Sequence, residues 1–159
     1  IRYPKHIKNG TVIDELCLNI DVAPTILDFA NLKIPKYMQG ESMKILLKGK
    51  HKRNWRKAFL FEYYVDTYWP YAGPNQIAVR TDRYKLIDNF LKDDIDELYD
   101  LVKDPGEMVN LINSPEYQNV ENELRDTAED LKEKYKYNPD RDWWLRQVIK
   151  ANKSRILNN

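Results

Sequence analysis

Acidic side chains are the strongest candidates in this sequence for catalysis or metal binding. Five carboxylates crowd into one short stretch: Asp93, Asp94, Asp96, Glu97 and Asp100. Calcium prefers carboxylate oxygens, so a metal loop is one interpretation of the stretch. These residues lack the glycine and the ligand spacing of an EF-hand loop, and we therefore predict no metal site on this chain.

The same stretch runs into the segment ELYDLVKDPGEMVNL, residues 97–111. An apolar, strand-like run there ends at a sequence typical of a turn. Asp104 opens the turn, Pro105 presets φ, and Gly106 is expected to take the positive φ of a type II turn. This interpretation makes the segment architectural.

Two histidines and one cysteine are the remaining candidates for catalysis or metal binding. His6 and His51 lie far apart in the sequence, and neither belongs to a ligand or triad pattern. Cys17 stands between two leucines, which predicts a small buried hydrophobe. The sequence also has no glycine-rich phosphate loop, zinc-ligand spacing or nucleophile elbow. We predict no catalytic residue on this chain.

Aromatic residues form the last candidate group, in YYVDTYWPYAGPNQ, residues 63–76. Rigid rings suit stacking on sugar faces, and long loops between strands often carry function. Two residues of this loop, Tyr68 and Trp69, are the substrate-binding candidates. The alternative is structural, with the rings covering the edge of a sheet.

Composition excludes several classes of partner. The 159 residues carry a net charge of only +1, although 32% are charged. So balanced a chain has no field that would draw it to nucleic acid or to an anionic membrane. Its apolar runs are all shorter than the roughly 18 residues that a membrane span needs.

The elements that must position these residues begin with a helix over DVAPTILDFANL, residues 21–32. Pro24 suits its first turn, and Asn31 stands where a left-handed terminating residue is expected. We expect an apolar stripe along this helix, formed by Ile26, Leu27 and Ala30.

Four strand-like runs follow, at residues 57–64, 76–81, 83–88 and 96–101. Aromatic and alternating apolar residues favour strands there. Only Asp82 and Arg83 lie between Thr81 and Tyr84 of the middle two runs, which predicts a tight hairpin. The sequence therefore predicts an antiparallel sheet of about four strands.

A long helix is predicted from about residue 115 to 136. Ser114 serves as the N-cap, and Pro115 occupies the first helical position. One face is apolar at spacings of three and four: Tyr117, Val120, Leu124, Ala128, Leu131 and Tyr135. Packed on one face of the sheet, this helix gives an α+β fold.

Four of these motifs, in this order, resemble the carboxyl-terminal part of the type I sulfatases of the alkaline-phosphatase-like superfamily. They are an Asp-x-x-Pro-Thr helix, a Gly-x-Ser loop, an Arg-Thr-x-x-Tyr-Lys hairpin and a Glu-Leu-Tyr-Asp-Leu segment with its Asp-Pro turn. Here they begin at Asp21, Gly40, Arg80 and Glu97. The resemblance implies that residues 1–50 close a large α/β domain, residues 51–137 form the C-terminal subdomain, and residues 138–159 are a tail.

The resemblance also implies the chemistry of a longer parent enzyme. Such sulfatases use a formylglycine made within a Cys/Ser-x-Pro-x-Arg motif, together with a calcium ion. Cys17 does not fit that motif, because Asn19 and Asp21 replace its proline and arginine. We therefore expect this chain alone to be inactive, with no cofactor of its own.

Partners and location follow from the same resemblance. We expect the N-terminal α/β domain of the same protein to pack against this chain, which would shape the cleft for a sulfated carbohydrate. Tyr68 and Trp69 would border that cleft or pack on that domain. The resemblance implies a periplasmic or secreted protein.

Two alternatives stay open. One is a phosphonate or phosphate ester hydrolase of the same superfamily, which the upstream nucleophile motif would distinguish. The other is a non-enzymatic α+β module that binds sugar or protein.

Overall fold

The structure, a computed structural model, describes residues 1–63, 76–89 and 95–137. The chain divides into two compact units, Ile1–Lys57 and Ala58–Asn159. The predicted tail, residues 138–159, lies outside the described residues. The role of residues 1–50 in a larger domain stays a prediction.

The first unit contains two short helices. A 3-10 turn at Asn19–Asp21 leads into helix α1, Val22–Phe29, and α2 follows at Lys44–Leu47. Its buried core comprises Ile7, Met43, Leu46, Leu47 and Trp55. Just beyond α1, Asn31 has φ 57°, which confirms the predicted left-handed residue.

Within the first unit, the predicted apolar stripe of α1 is not the buried side of the helix, and its covering by a larger domain stays a prediction. Ile26 is 63% exposed, and the buried residues of the helix are Pro24 and Thr25. Thr25 and Asp28 form hydrogen bonds with the loop beside α1, so the polar side of the helix faces this loop and the apolar side does not.

In the second unit, four strands form one antiparallel sheet. They are β1 (Ala58–Tyr63), β2 (Gln76–Thr81), β3 (Tyr84–Asn89) and β4 (Glu97–Asp100), in the order β1-β2-β3-β4. Each strand pairs with its neighbour in the chain. Asp82 and Arg83 form the predicted two-residue connection between β2 and β3.

Register gives the sheet two different faces. Val79 pairs with Leu86, and Leu86 with Leu98, so these three side chains share one face. That face is covered by helix α3, Gln118–Lys134, which follows a 3-10 turn at Pro115–Tyr117. Because side chains alternate along a strand, the aromatic residues of β1 lie on the opposite face.

Helix α3 packs on the sheet with the predicted stripe. Tyr117, Leu124 and Leu131 are buried, and Val120 is half-buried. Each large side chain fully buried here contributes about 1.5–3 kcal/mol. The predicted α+β fold, a four-stranded sheet carrying a long helix, is confirmed.

The start of this helix differs from the prediction in one detail. Ser114 occupies the cap position, but its side chain makes no capping hydrogen bond. Its carbonyl accepts from the Tyr117 N–H at 2.9 Å.

No helix within the described ranges is long and apolar enough to span a membrane.

Candidate functional site

The Asp21 carboxylate is the centre of a polar network in the first unit. Its side chain is fully buried, and the paired Arg56 guanidinium is 5% exposed. Both carboxylate oxygens accept from Arg56, and they also accept the backbone N–H groups of Leu18 (2.7 Å) and Glu41 (2.8 Å). The 3-10 turn that precedes α1 aims the carboxylate at these donors.

Helix α1 extends this network along one side, because residues 21, 25 and 28 share a helical face. The Thr25 hydroxyl donates to the Asp21 carbonyl at 2.6 Å and accepts the Met43 N–H at 2.9 Å. Asp28 accepts from the Ser42 hydroxyl at 2.6 Å and from the Lys44 ammonium at 2.9 Å. The Asp-x-x-Pro-Thr helix thus holds the Gly-x-Ser loop.

Gly40 is needed where that loop meets the chain before α1. A Cβ at this position would lie 2.0 Å from the Ile20 carbonyl oxygen. No L-amino acid with a side chain fits so close to another backbone. The Gly-x-Ser loop therefore needs a glycine at position 40 because two backbone segments approach closely there.

The carboxylates of this network stay ionised. Burial alone would raise the pKa of Asp21, but hydrogen bonds from Arg56, Glu41 and Leu18 outweigh burial and hold the pKa below its usual value. Hydrogen bonds from Ser42 and Lys44 likewise lower the pKa of Asp28. Carboxylates satisfied in this way remain ionised and hold structure, and they are poor general bases.

In the second unit, Thr81 and Arg83 shape the β2–β3 hairpin. The Thr81 hydroxyl accepts the Tyr84 N–H at 2.9 Å across the turn. Arg83 donates to the buried Asp100 carboxylate of β4 at 2.8 Å. Hydrogen bonds from Arg83 lower the pKa of Asp100, although burial opposes them. The Arg-Thr-x-x-Tyr-Lys motif is thereby tied to the last strand.

The turn after β4 corrects the prediction for Gly106. The positive φ falls on Glu107, at 54°, and Gly106 is not left-handed. The Glu107 N–H closes the turn on the Asp104 carbonyl at 3.1 Å. The Asp104 carboxylate then accepts the N–H groups of Met108 and Val109, at 2.7 and 2.9 Å. Folding the backbone around Asp104 places the left-handed residue after the glycine, so the turn is not type II.

The acidic residues of this region are each engaged separately. Asp96 pairs with Arg125, Glu97 accepts the Tyr99 hydroxyl, and Glu107 pairs with Lys85 at 2.6 Å. Throughout residues 1–63, 76–89 and 95–137, no three His, Cys, Asp or Glu side chains converge as a metal site would require. Asp93 and Asp94 lie outside the described residues.

The remaining candidates for catalysis or metal binding, Cys17, His6 and His51, do not form a common site. Cys17 is exposed, which corrects the prediction that it is buried. Backbone groups of Leu16 and Leu18 are bound by Arg56 and Asp21, and alternation along this extended chain turns the residue between them outward. His51 is almost fully exposed beside Glu15, and His6 packs edge-on against Tyr3.

A surface that the sequence analysis did not single out lies on the sheet face away from α3. Phe59, Phe61 and Tyr63 project there from β1, and Arg80 of β2 pairs opposite Phe59. Alternation within AFLFEY was the available signal. The sequence-predicted residues Tyr68 and Trp69 lie outside the described residues, and their contact with substrate stays a prediction.

Comparison with known proteins gives a consistent result. The family model for N-sulphoglucosamine sulphohydrolase, C-terminal, matches residues 1–134. An N-acetylglucosamine-6-O-sulfatase from Bacteroides thetaiotaomicron is 38% identical over 142 residues, which cover 87% of this chain and 25% of that protein. The chain therefore spans about a quarter of the length of this relative.

Solved structures share the fold. One, a protein in complex with its substrate D-glucosamine-2-N,6-O-disulfate, superposes with a TM-score of 0.79 at 37% identity, over 86% of this chain and 28% of that one. The phosphonate monoester hydrolase from Silicibacter pomeroyi gives a TM-score of 0.70 at 23% identity, over 84% of this chain and 28% of that one. At that identity the second likeness concerns the fold alone.

Proposed function

The chain belongs to the sulfatases, in the N-sulphoglucosamine sulphohydrolase C-terminal family, and we propose that it is the C-terminal region of an enzyme that hydrolyses sulfate esters of a carbohydrate. The observation that carries this proposal is the 38% identity to an N-acetylglucosamine-6-O-sulfatase across 87% of the chain. The matched residues make up only a quarter of that relative, so the proposed reaction belongs to a longer protein.

Within that enzyme, the proposed role of this chain is to build and support one side of the substrate cleft. Three of its carboxylates are paired within the chain: Asp21 with Arg56, Asp28 with Lys44 and Asp100 with Arg83. Such groups position loops without touching a reacting atom. The loops that they hold are therefore the chain's contribution to the site.

The nucleophile and the metal of the proposed enzyme would come from polypeptide beyond these 159 residues. A formylglycine would supply the nucleophile, and calcium would polarise the sulfate. No Cys/Ser-x-Pro-x-Arg motif occurs in the sequence. Among the residues that the structure describes, no three His, Cys, Asp or Glu side chains lie close enough together to hold a metal ion. We assign no step of the reaction to either group on this chain.

The proposed partner of the first unit is the preceding α/β domain of the same protein. Helix α1 exposes Val22 (42%) and Ile26 (63%), one helical turn apart. Adjacent exposed apolar side chains on one helix face mark a surface that another protein surface covers. A periplasmic or secreted location completes the proposal, as the family resemblance implies.

Activity assays test this proposal. The 159-residue chain and its longer gene product are purified and assayed, with calcium, on 6-O-sulfated N-acetylglucosamine and on an aryl sulfate. We expect turnover by the longer protein and none by the chain. Sustained hydrolysis by the chain alone would contradict the proposed role. A longer protein that cleaves phosphonate monoesters but no sulfate ester would favour the alternative hydrolase.

We also propose that Tyr68 and Trp69 face the glycan. In the longer protein, Trp69→Ala should lower kcat/KM for a sulfated oligosaccharide, by tenfold for each 1.4 kcal/mol of lost transition-state binding, and leave a small aryl sulfate unaffected. Tyr37→Ala is the matched control, since Tyr37 is 82% exposed in the first unit. An equal loss on both substrates would assign the loop a structural role.

A further inference from the structure

The face of the sheet away from α3 carries a row of aromatic rings along β1. Phe59, Phe61 and Tyr63 occupy alternate positions, so they project to the side opposite the core residue Leu60. Phe61 and Tyr63 are stacked, with ring centroids 6.4 Å apart and planes inclined by 11°. The two rings therefore form one continuous apolar patch with a common ring orientation.

These rings are unusually accessible for their size. Phe61 is 49% exposed and Tyr63 is 48% exposed, whereas Ala78 and Ile87 on the same face are buried. Aromatic side chains normally bury most of their area, and exposed aromatic patches mark binding surfaces. A tyrosine among them adds a hydroxyl that can bond a polar ligand.

The charge beside the rings is positive. Arg80 is exposed and pairs with Phe59 across the β1–β2 ladder, and none of the described carboxylates forms an ion pair with it. Lys85 on the same face is already neutralised by Glu107 at 2.6 Å. A guanidinium that forms no ion pair with the described carboxylates, next to aromatic rings, suits a ligand with both an apolar face and an anionic substituent.

We propose that Phe61, Tyr63 and Arg80 form a binding surface for a sulfated glycan chain. The rings stack on pyranose faces, and the guanidinium pairs with a sulfate or carboxylate of the same chain. A peptide or a second copy of the protein would use the apolar rings but has less need of the Arg80 cation. This inference rests on the proposed function for its choice of ligand, since a sulfatase meets sulfated sugars.

Binding measurements test the surface without activity. A heparin-derived hexasaccharide and its desulfated counterpart are titrated into the 159-residue chain, and binding is followed by calorimetry and by NMR shifts of the aromatic rings. Phe61→Ala and Tyr63→Ala should each weaken binding of both sugars about threefold to tenfold. Arg80→Gln should weaken binding of the sulfated sugar alone, about threefold to tenfold.

Controls separate binding from folding. Tyr63→Phe keeps the ring, so it should retain most of the affinity if Tyr63→Ala loses it through stacking. Tyr37→Ala removes an exposed aromatic residue of the other unit and should leave binding unchanged. Circular dichroism and thermal melting of every variant establish that the fold is intact.

Several results would overturn the proposal. These are no binding of the sulfated hexasaccharide, binding that is indifferent to Phe61→Ala and Tyr63→Ala, or a dimer that the same variants dissociate. Binding to the chain that disappears in the longer gene product would assign the face to contact within that protein. If the longer protein hydrolyses sulfated sugars while the variants bind normally, the surface fails and the proposed function stands. If it hydrolyses none while the variants lose binding, the surface stands and the function fails.

Discussion

At the scale of single residues, the Asp21–Arg56 pair is the most demanding feature of the first unit. Both side chains are removed from water, so neither charge is tolerable without the other. Asp21 was recognisable in the sequence as part of an Asp-x-x-Pro-Thr motif. Arg56 was not, because its partner lies 35 positions away and no local pattern connects the two.

Arg56→Met should destabilise the chain by about 3–5 kcal/mol, because it leaves the Asp21 carboxylate buried and uncompensated. Lys52→Met is the control, since the Lys52–Glu41 pair is partly exposed and should contribute only about 0–1 kcal/mol. Urea denaturation monitored by circular dichroism measures both. Equal losses for the two variants would show that burial of the first pair has no energetic consequence.

Gly40→Ala should also be destabilising, by about 1–3 kcal/mol, because the added methyl group overlaps the Ile20 carbonyl. Gly106→Ala should be nearly neutral, since its Cβ would meet Met108 at an ordinary 3.4 Å and the backbone there is not left-handed. Chemical denaturation of both variants gives the comparison. A large loss at Gly106 would restore the left-handed turn that the sequence predicted.

At the scale of elements, the sequence predicted best where its pattern was long and one-sided. The helix stripe from Tyr117 to Tyr135 and the alternation in β2 and β3 are fixed by burial, which periodicity reports directly. In helix α1 the residues buried within this chain are Pro24 and Thr25, outside the predicted stripe. This helix is short, and hydrogen bonds that Thr25 and Asp28 accept from Met43 and Ser42 orient it instead of its apolar residues.

Leu124→Ala in α3 should cost about 2–5 kcal/mol, because Leu124 is 3% exposed and lies in the core between helix and sheet. Val120→Ala on the same stripe removes a smaller, half-buried side chain and should cost clearly less. Thermal and urea unfolding distinguish the two. Near-wild-type stability of Leu124→Ala would mean that another face of the helix meets the sheet.

The local turn chemistry was harder to predict than the elements it joins. Pro105 and Gly106 identified a turn, but the side chain of Asp104 decides which residue becomes left-handed. Cys17 is a similar case, since its exposure depends on backbone contacts made by the residues on either side. Tertiary hydrogen bonds of this kind leave no periodic signal in one sequence.

At the scale of the whole molecule, the free energy of unfolding should decrease at low pH. The pKa values of Asp21, Asp28 and Asp100 are all held below normal. Each carboxylate thus stabilises the fold above its unfolded pKa of about 3.9, and that contribution is lost as the pH falls through the folded pKa. These three carboxylates should make the free energy of unfolding fall below about pH 4.

Urea titrations at a series of pH values check this expectation. Asp100→Asn supplies the comparison, since it removes one titrating carboxylate and should make the acid fall shallower. An acid limb with the same slope in that variant would mean that other groups control it.

Tyr99 should affect the alkaline limb. Its hydroxyl donates to Glu97, which raises the pKa of Tyr99 to about 12. The contribution is present below the unfolded pKa of about 10 and is lost as the pH rises towards 12. Tyr99→Phe should therefore flatten the decline between these values, measured by denaturation at pH 9, 10 and 11. An unchanged decline would show that ionisation of the Tyr99 hydroxyl does not contribute to the loss of stability at high pH.

The order of strands in the sheet has a consequence for how the second unit acquires its structure. Because β1 pairs with β2, β2 with β3 and β3 with β4, every ladder joins segments that are adjacent in the chain. Low contact order of this kind favours rapid folding, since little loop entropy is lost before each pairing forms. The strands can therefore assemble one after another as the ribosome releases them. Helix α3, which is synthesised after all four strands, then closes over a sheet that already exists.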